Sequence, residues 1–146
     1  MISAWGIESK AIAKPGLVAN QVRDCFYNIV LLDIVMPEKS GFDLIPEIGR
    51  LCPSTKIIVM SGYADKEKVI KALRLGIFDF LEKPIKMELL SHAVKRALDT
   101  QKTELELRKT LSDLERSQSD LLARERKLEE ANEQVLANSQ QFPLGL

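Results

Sequence analysis

Three polar residues each close a short apolar run. Asp33 ends Asn28–Asp33 (NIVLLD), Ser61 ends Lys56–Ser61 (KIIVMS) and Lys83 ends Phe78–Lys83 (FDFLEK). A carboxylate can attack a phosphoryl group and hold it as an acyl phosphate. An ammonium offsets the negative charge of such a group, and a hydroxyl donates a directional hydrogen bond to one of its oxygens. These types, gathered in one place, suit phosphoryl chemistry. Any one alone reads as an ordinary strand end. The residues that follow narrow the choice: Ile34, Val35, Met36, Pro37 and then Gly41 after Asp33, Gly62 after Ser61, and Pro84 after Lys83.

A parallel sheet would bring the three together. The first two runs are short, β-branched and continuous, as in strands buried on both faces. Helical patterns lie between the runs, at Gly41–Arg50 and at Lys66–Leu75, the second ending at Gly76. A last helix is expected from near Lys86. The order β-α-β-α-β-α predicts an α/β domain with a parallel sheet and right-handed crossovers. In such a sheet all strand C-termini share one edge, and open α/β sheets bind ligands there. Upstream, Ser9–Ala13 (SKAIA) is expected as a short strand. Gly16–Cys25 is expected as a helix with Leu17, Val18 and Val22 facing inward.

With 146 residues the chain has room for one domain and an appendage. Basic and acidic residues balance at 21 each, so no cationic excess points to nucleic acid. Hydrophobic residues make up 45%, enough for a packed core. No apolar run approaches the ~18 residues of a membrane span, and Met1–Ala19 lacks a long apolar secretory core. Two cysteines, Cys25 and Cys52, are too few for a disulfide scaffold or a zinc cluster. A reduced, cytoplasmic chain without membrane contact is expected. His92 lies within the last helix of the domain, without the acidic neighbour of a phosphoacceptor histidine, and Trp5 is expected to pack a helix end.

Composition shifts near residue 98. Residues 99–140 hold no Gly, Pro or aromatic residue and read as one long helix, followed by a loose tail at 141–146 (QFPLGL). Leu107, Leu114, Leu121, Leu128 and Val135 recur every seven residues. With these at d, the a positions are Leu111, Gln118, Glu125 and Asn132, so the seam is apolar at d and mostly polar at a. That pattern predicts a two-stranded parallel homodimer through residues 105–138, its polar a residues fixing register at a cost in stability. Arg124 at g and Glu129 at the next e would pair between chains. The competing reading is a solitary charged helix held by pairs such as Arg126 with Glu130. The run Arg124–Lys127 (RERK) is too short and mixed for a nucleic-acid-binding arm.

The set LLDIVMP with Gly41, IIVMSGY, Ala72 with Gly76, and FDFLEKP, in this order and spacing, resembles the receiver domain of two-component response regulators over about residues 28–98. The resemblance implies a flavodoxin-like α/β fold. It gives Asp33 the role of phosphoacceptor, Ser61 that of the hydroxyl that bonds the phosphoryl group, and Lys83 that of its ammonium partner. Phe80 takes the place of the aromatic switch residue coupled to Ser61. Pro37, Gly41, Gly62 and Pro84 are loop positions, with Lys83–Pro84 similar to a bond usually cis in the family. Mg²⁺ is implied as cofactor, with Asp33 and the Val35 backbone carbonyl among its ligands. A histidine kinase or phosphotransfer protein is implied as partner.

In the family a first strand ends in an adjacent acidic pair that supplies most of the Mg²⁺ coordination. The acids among the 32 residues before Asp33 are Glu8 and Asp24, which are not adjacent. The domain is therefore expected to be incomplete at its N-terminus, as in a fragment of a longer protein, and to bind Mg²⁺ weakly. The organisation expected is a partial receiver domain at 1–98, a coiled-coil helix at 99–140 and the tail. The function expected is non-enzymatic: Asp33 accepts a phosphoryl group and the coiled coil relays the state. The alternative is a degenerate receiver that serves as a dimerisation or docking adaptor. A small aspartyl-phosphate phosphatase is disfavoured, because Ile34, Val35 and Met36 supply no acid or base beside Asp33.

Overall fold

The computed structural model describes residues 5–24, 27–62 and 65–141. Three strands form one parallel sheet in chain order: β1 (Ile29–Asp33), β2 (Lys56–Ser61) and β3 (Asp79–Glu82). β1 meets β2 with Asp33 opposite Met60, and β2 meets β3 with Ser61 opposite Glu82. The helices are α1 (Val18–Asp24), α2 (Gly41–Leu51), α3 (Lys66–Arg74) and α4 (Met87–Gln141).

Crossovers of one hand, adding strands in one direction, put their helices on one face of the sheet. The packing agrees. Leu44, Ile45 and Ile48 of α2 and Ala72 of α3 join Leu32, Ile57 and Val59 in one cluster, with Val18 and Val22 of α1. The other face carries α4 alone among the described helices, with Leu90, Ala93, Val94 and Ala97 against Ile58 and Leu81. Ile58 and Val59, adjacent and both fully buried, point to opposite faces, which is why this strand reads as a continuous apolar run. Each such side chain contributes about 1.5–3 kcal/mol of burial.

The helix ends are fixed locally. The Ser40 hydroxyl accepts from the Phe42 N–H at the start of α2, and the Asp65 carboxylate accepts from the Lys68 N–H at the start of α3. Gly76, at φ +90°, turns the chain out of α3 toward β3. α4 is held to the sheet by Gln101, 2% exposed, whose amide donates to the Ser54 carbonyl at 2.7 Å and accepts from Asn28 Nδ2 at 2.7 Å. Arg96 adds an ion pair with Asp79 at 3.3 Å.

Two expectations change. Ser9–Ala13 forms no strand: it lies beside β1 without a ladder partner, and an extended stretch without one gains no sheet hydrogen bonds. The helix expected from Gly16 begins instead as a 3₁₀ turn at Pro15–Leu17, and α1 starts at Val18. Val18 and Val22 are buried as expected, whereas Leu17, in the tighter turn, is 48% exposed. Cys25, Tyr63 and the tail from 142 lie outside the described residues. His92 is exposed on α4.

The chain divides into two compact units, Met1–Thr103 and Glu104–Leu146. The second is helical to Gln141, and every side chain from Glu104 to Asn138 is exposed, including Leu107, Leu114, Leu121, Leu128 and Val135. Among the described residues no helix is long and apolar enough to cross a membrane.

Candidate functional site

Asp33 stands at the C-terminal end of β1 and receives two hydrogen bonds. The Val35 N–H donates to Oδ1 at 3.0 Å, and Lys83 Nζ donates to Oδ2 at 2.5 Å. The Lys83 and Asp33 side chains keep 43% and 30% of their surface, so the pair is open to solvent and to a ligand. Lys83 follows β3, two strands away from β1. It is anchored by its own N–H, which donates to the Ser61 carbonyl at 2.9 Å. Its side chain thus crosses above the end of β2 to reach the carboxylate.

The loop after β1 sets the carboxylate's backbone. The Ile34 N–H continues the ladder to the Met60 carbonyl at 3.2 Å. The Gly41 N–H then returns to the Ile34 carbonyl at 3.1 Å, which presses the start of α2 against the end of β1. A Cβ at Gly41 would sit 2.6 Å from the Asp33 carbonyl oxygen and 2.8 Å from Ile34 Cα, so only glycine fits there. Pro37 lies in the exposed connection to α2. Gly62 and the cis bond Lys83–Pro84 flank the edge on the other strands, and a Cβ at Gly62 would touch Lys83 Cβ at 4.0 Å.

Ser61 ends β2 at the same edge and is fully buried. Strand alternation puts it on the face of Ile57 and Val59, while Asp33 follows Ile29 and Leu31 on the face of α4. The structure therefore joins carboxylate and ammonium directly, and the Ser61 backbone stands one register step beyond the pairing of Asp33 with Met60. Phe80, opposite Val59, lies on the Ser61 face, half-buried against the α2 cluster.

Among the described residues no three His, Cys, Asp or Glu side chains gather to hold a metal ion. Asp33 offers one carboxylate, and Val35, 67% exposed, offers a backbone carbonyl. Two such oxygens leave most of an octahedral Mg²⁺ shell to water, so the described residues do not build a tight Mg²⁺ site. Sequence reading missed Gln101 and the Val35 N–H. The first is a polar residue within a polar helix, and the second is a backbone group that no side-chain type announces.

The family model of the response regulator receiver domain matches residues 2–95. Curated relatives include the DNA-binding transcriptional regulator NtrC of Azospirillum brasilense, 32% identical over 99 residues, covering 68% of this chain and 21% of that protein. The response regulator protein TmoT of Ectopseudomonas mendocina is 29% identical over 128 residues, covering 88% of this chain and 58% of its own length. The chain thus spans less than two thirds of either relative. Among solved structures, a CheY-like receiver domain protein from Methanospirillum hungatei aligns with TM-score 0.67 at 29% identity, over 70% of this chain and 82% of that one. NtrX from Brucella abortus, solved with ATP, aligns with TM-score 0.68 at 30% identity, over 73% of this chain and 24% of that one.

Proposed function

The chain belongs to the response regulator receiver domain family, and from that premise we propose that Asp33 accepts a phosphoryl group from a histidine kinase or phosphotransfer protein. The observation that carries the reading is the contact of Lys83 Nζ with Asp33 Oδ2 at the C-terminal edge of the sheet. In the transfer a carboxylate oxygen bonds to phosphorus as the donor's P–N bond breaks, and the leaving imidazole takes a proton. The chain is a substrate in this step rather than a turnover enzyme. Lys83, already seated on the carboxylate, is within reach of the new phosphoryl oxygens and neutralises part of their charge. Drawing the Ser61 hydroxyl toward them frees volume on the face it shares with Phe80, which gives the state a packing readout.

The exposed d-position leucines support a parallel homodimer through residues 105–138 as the carrier of that state. The small number of cysteines in the sequence, two, and the lack of a long apolar run fit a cytoplasmic setting. The single carboxylate at the site favours a second reading, an adaptor that dimerises or docks without phosphorylation.

Incubation with acetyl phosphate, read by intact-protein mass, separates the two. The phosphoryl reading expects slow addition of one phosphoryl group, raised only modestly by millimolar Mg²⁺ and lost in Asp33→Ala. No addition after prolonged incubation would leave the adaptor, as would labelling that survives Asp33→Ala.

A further inference from the structure

The long helix carries nine a and d positions from Leu107 to Val135. Six are apolar, and two carry neutral amides, Gln118 and Asn132. The ninth, Glu125, is the only charged residue among them. The apolar positions are spread unevenly about it. Four, from Leu107 to Leu121, precede Glu125, and two, Leu128 and Val135, follow it.

Nothing on its own helix neutralises Glu125. The residues three and four positions away are Leu121, Leu122, Leu128 and Glu129, so the one charge among them is of the same sign. In a parallel pair in register, a side chain at a inserts beside the same position of the facing helix. The two Glu125 carboxylates then meet, each next to the Arg124 guanidinium of the other helix. That guanidinium is shared. Glu129 of the facing helix, at the next e, competes for it, and so does Asp120, one turn back on the helix of Arg124. Carboxylate therefore exceeds guanidinium at this layer. Gln118 and Asn132 differ, because an amide both donates and accepts and can pair with its counterpart.

Closing the seam at Glu125 would take two like charges out of water without full compensation, which is costly. Upstream, four apolar positions hold the helices together. Downstream, only Leu128 and Val135 oppose the cost, with the Asn132 layer between them. We propose that Glu125 divides the paired helix into two zones: a closed zone from Leu107 to Leu121, and an opening zone from Glu125 onward in which the helices part and the carboxylates stay in water. The opening zone is the part of the pair free to change, since opening or closing it leaves the upstream leucines in place. This inference rests on the parallel homodimer proposed above and adds to it where the pair is closed and where it opens.

The test uses the full chain in a Cys25→Ser, Cys52→Ser background at high protein concentration, with one spin label per chain. The label sits at Ser112→Cys or at Gln134→Cys, both exposed, uncharged and off the seam at b and c. Pulsed electron–electron dipolar spectroscopy reads the distance between the two labels of a pair. A single narrow distance is expected at 112, and a distribution about twice as wide or more, shifted to longer distance, at 134. Glu125→Gln keeps the size of the side chain, removes its charge and makes the layer resemble that of Gln118. It is expected to narrow the distribution at 134 and to leave 112 unchanged. Equally narrow distances at both sites in the parent chain would overturn the proposal while leaving the homodimer intact. A broad distribution at 134 that Glu125→Gln does not narrow would do the same, since the charge would then not be the cause. Absence of dipolar coupling at both sites would remove the homodimer itself, and the two zones with it.

Discussion

Gly41 ties the position of the Asp33 backbone to the start of a helix. A methyl group there meets main-chain atoms rather than a flexible side chain, so the strand end or the helix start must shift. Gly41→Ala is expected to lower stability by about 1–3 kcal/mol in urea unfolding, and to slow labelling of Asp33 more than that loss alone accounts for. Asp65 gives a second prediction. The Lys68 N–H at the start of α3, before any other cause, holds its carboxyl below the usual carboxylate value. A lowered folded value means that its contribution is complete above the unfolded pKa of about 3.9 and is lost as pH falls through the folded one. The gap in urea midpoint between wild type and Asp65→Ala is therefore expected to be constant from neutral pH to about pH 5, and to narrow steadily below about pH 4. A gap that widens in acid would contradict this assignment.

At the scale of elements, the buried amide of Gln101 is the polar fastening between α4 and the N-terminal ends of β1 and β2. Removing it takes a partner from the exposed Asn28 side chain and the half-buried Ser54 carbonyl and empties the buried place of the Gln101 side chain. Gln101→Ala is expected to cost about 1 kcal/mol in unfolding of the domain. Helical circular dichroism from residues 104–138 should be unaffected, since that stretch makes no use of the fastening. Elements whose sequence states both their period and their ends were legible: β2 emerged as Lys56–Ser61, and α3 stopped against Gly76. The stretch Ser9–Ala13 was misread because its residues suit a strand only if a neighbour takes its backbone bonds, and among the described residues no strand does. The convergence of Asp33 and Lys83 was legible because parallel topology sends every strand end to one edge. The face each side chain takes at that edge depends on register, which no residue type announces.

At the scale of the whole molecule, the leucine stripe beyond Glu104 makes the strongest statement about assembly. In a Cys25→Ser, Cys52→Ser background, Leu107→Cys is expected to form a disulfide-linked dimer on mild oxidation, because d positions face each other in a parallel pair. An antiparallel pair sets d against a of the partner, so Leu107→Cys is then expected to form little of that disulfide. A strictly monomeric mass at high concentration would remove both. The sheet itself has a temporal consequence. Its strands lie side by side in the order in which they are made, and the paired residues are close in sequence, Ile29 with Lys56 and Ile58 with Asp79. Among the described strands, β2 and β3 each leave the ribosome with a partner already synthesised. Low sequence separation lowers the entropic barrier of loop closure, so this sheet can zip from first strand to last during translation, well before the leucine stripe has been made.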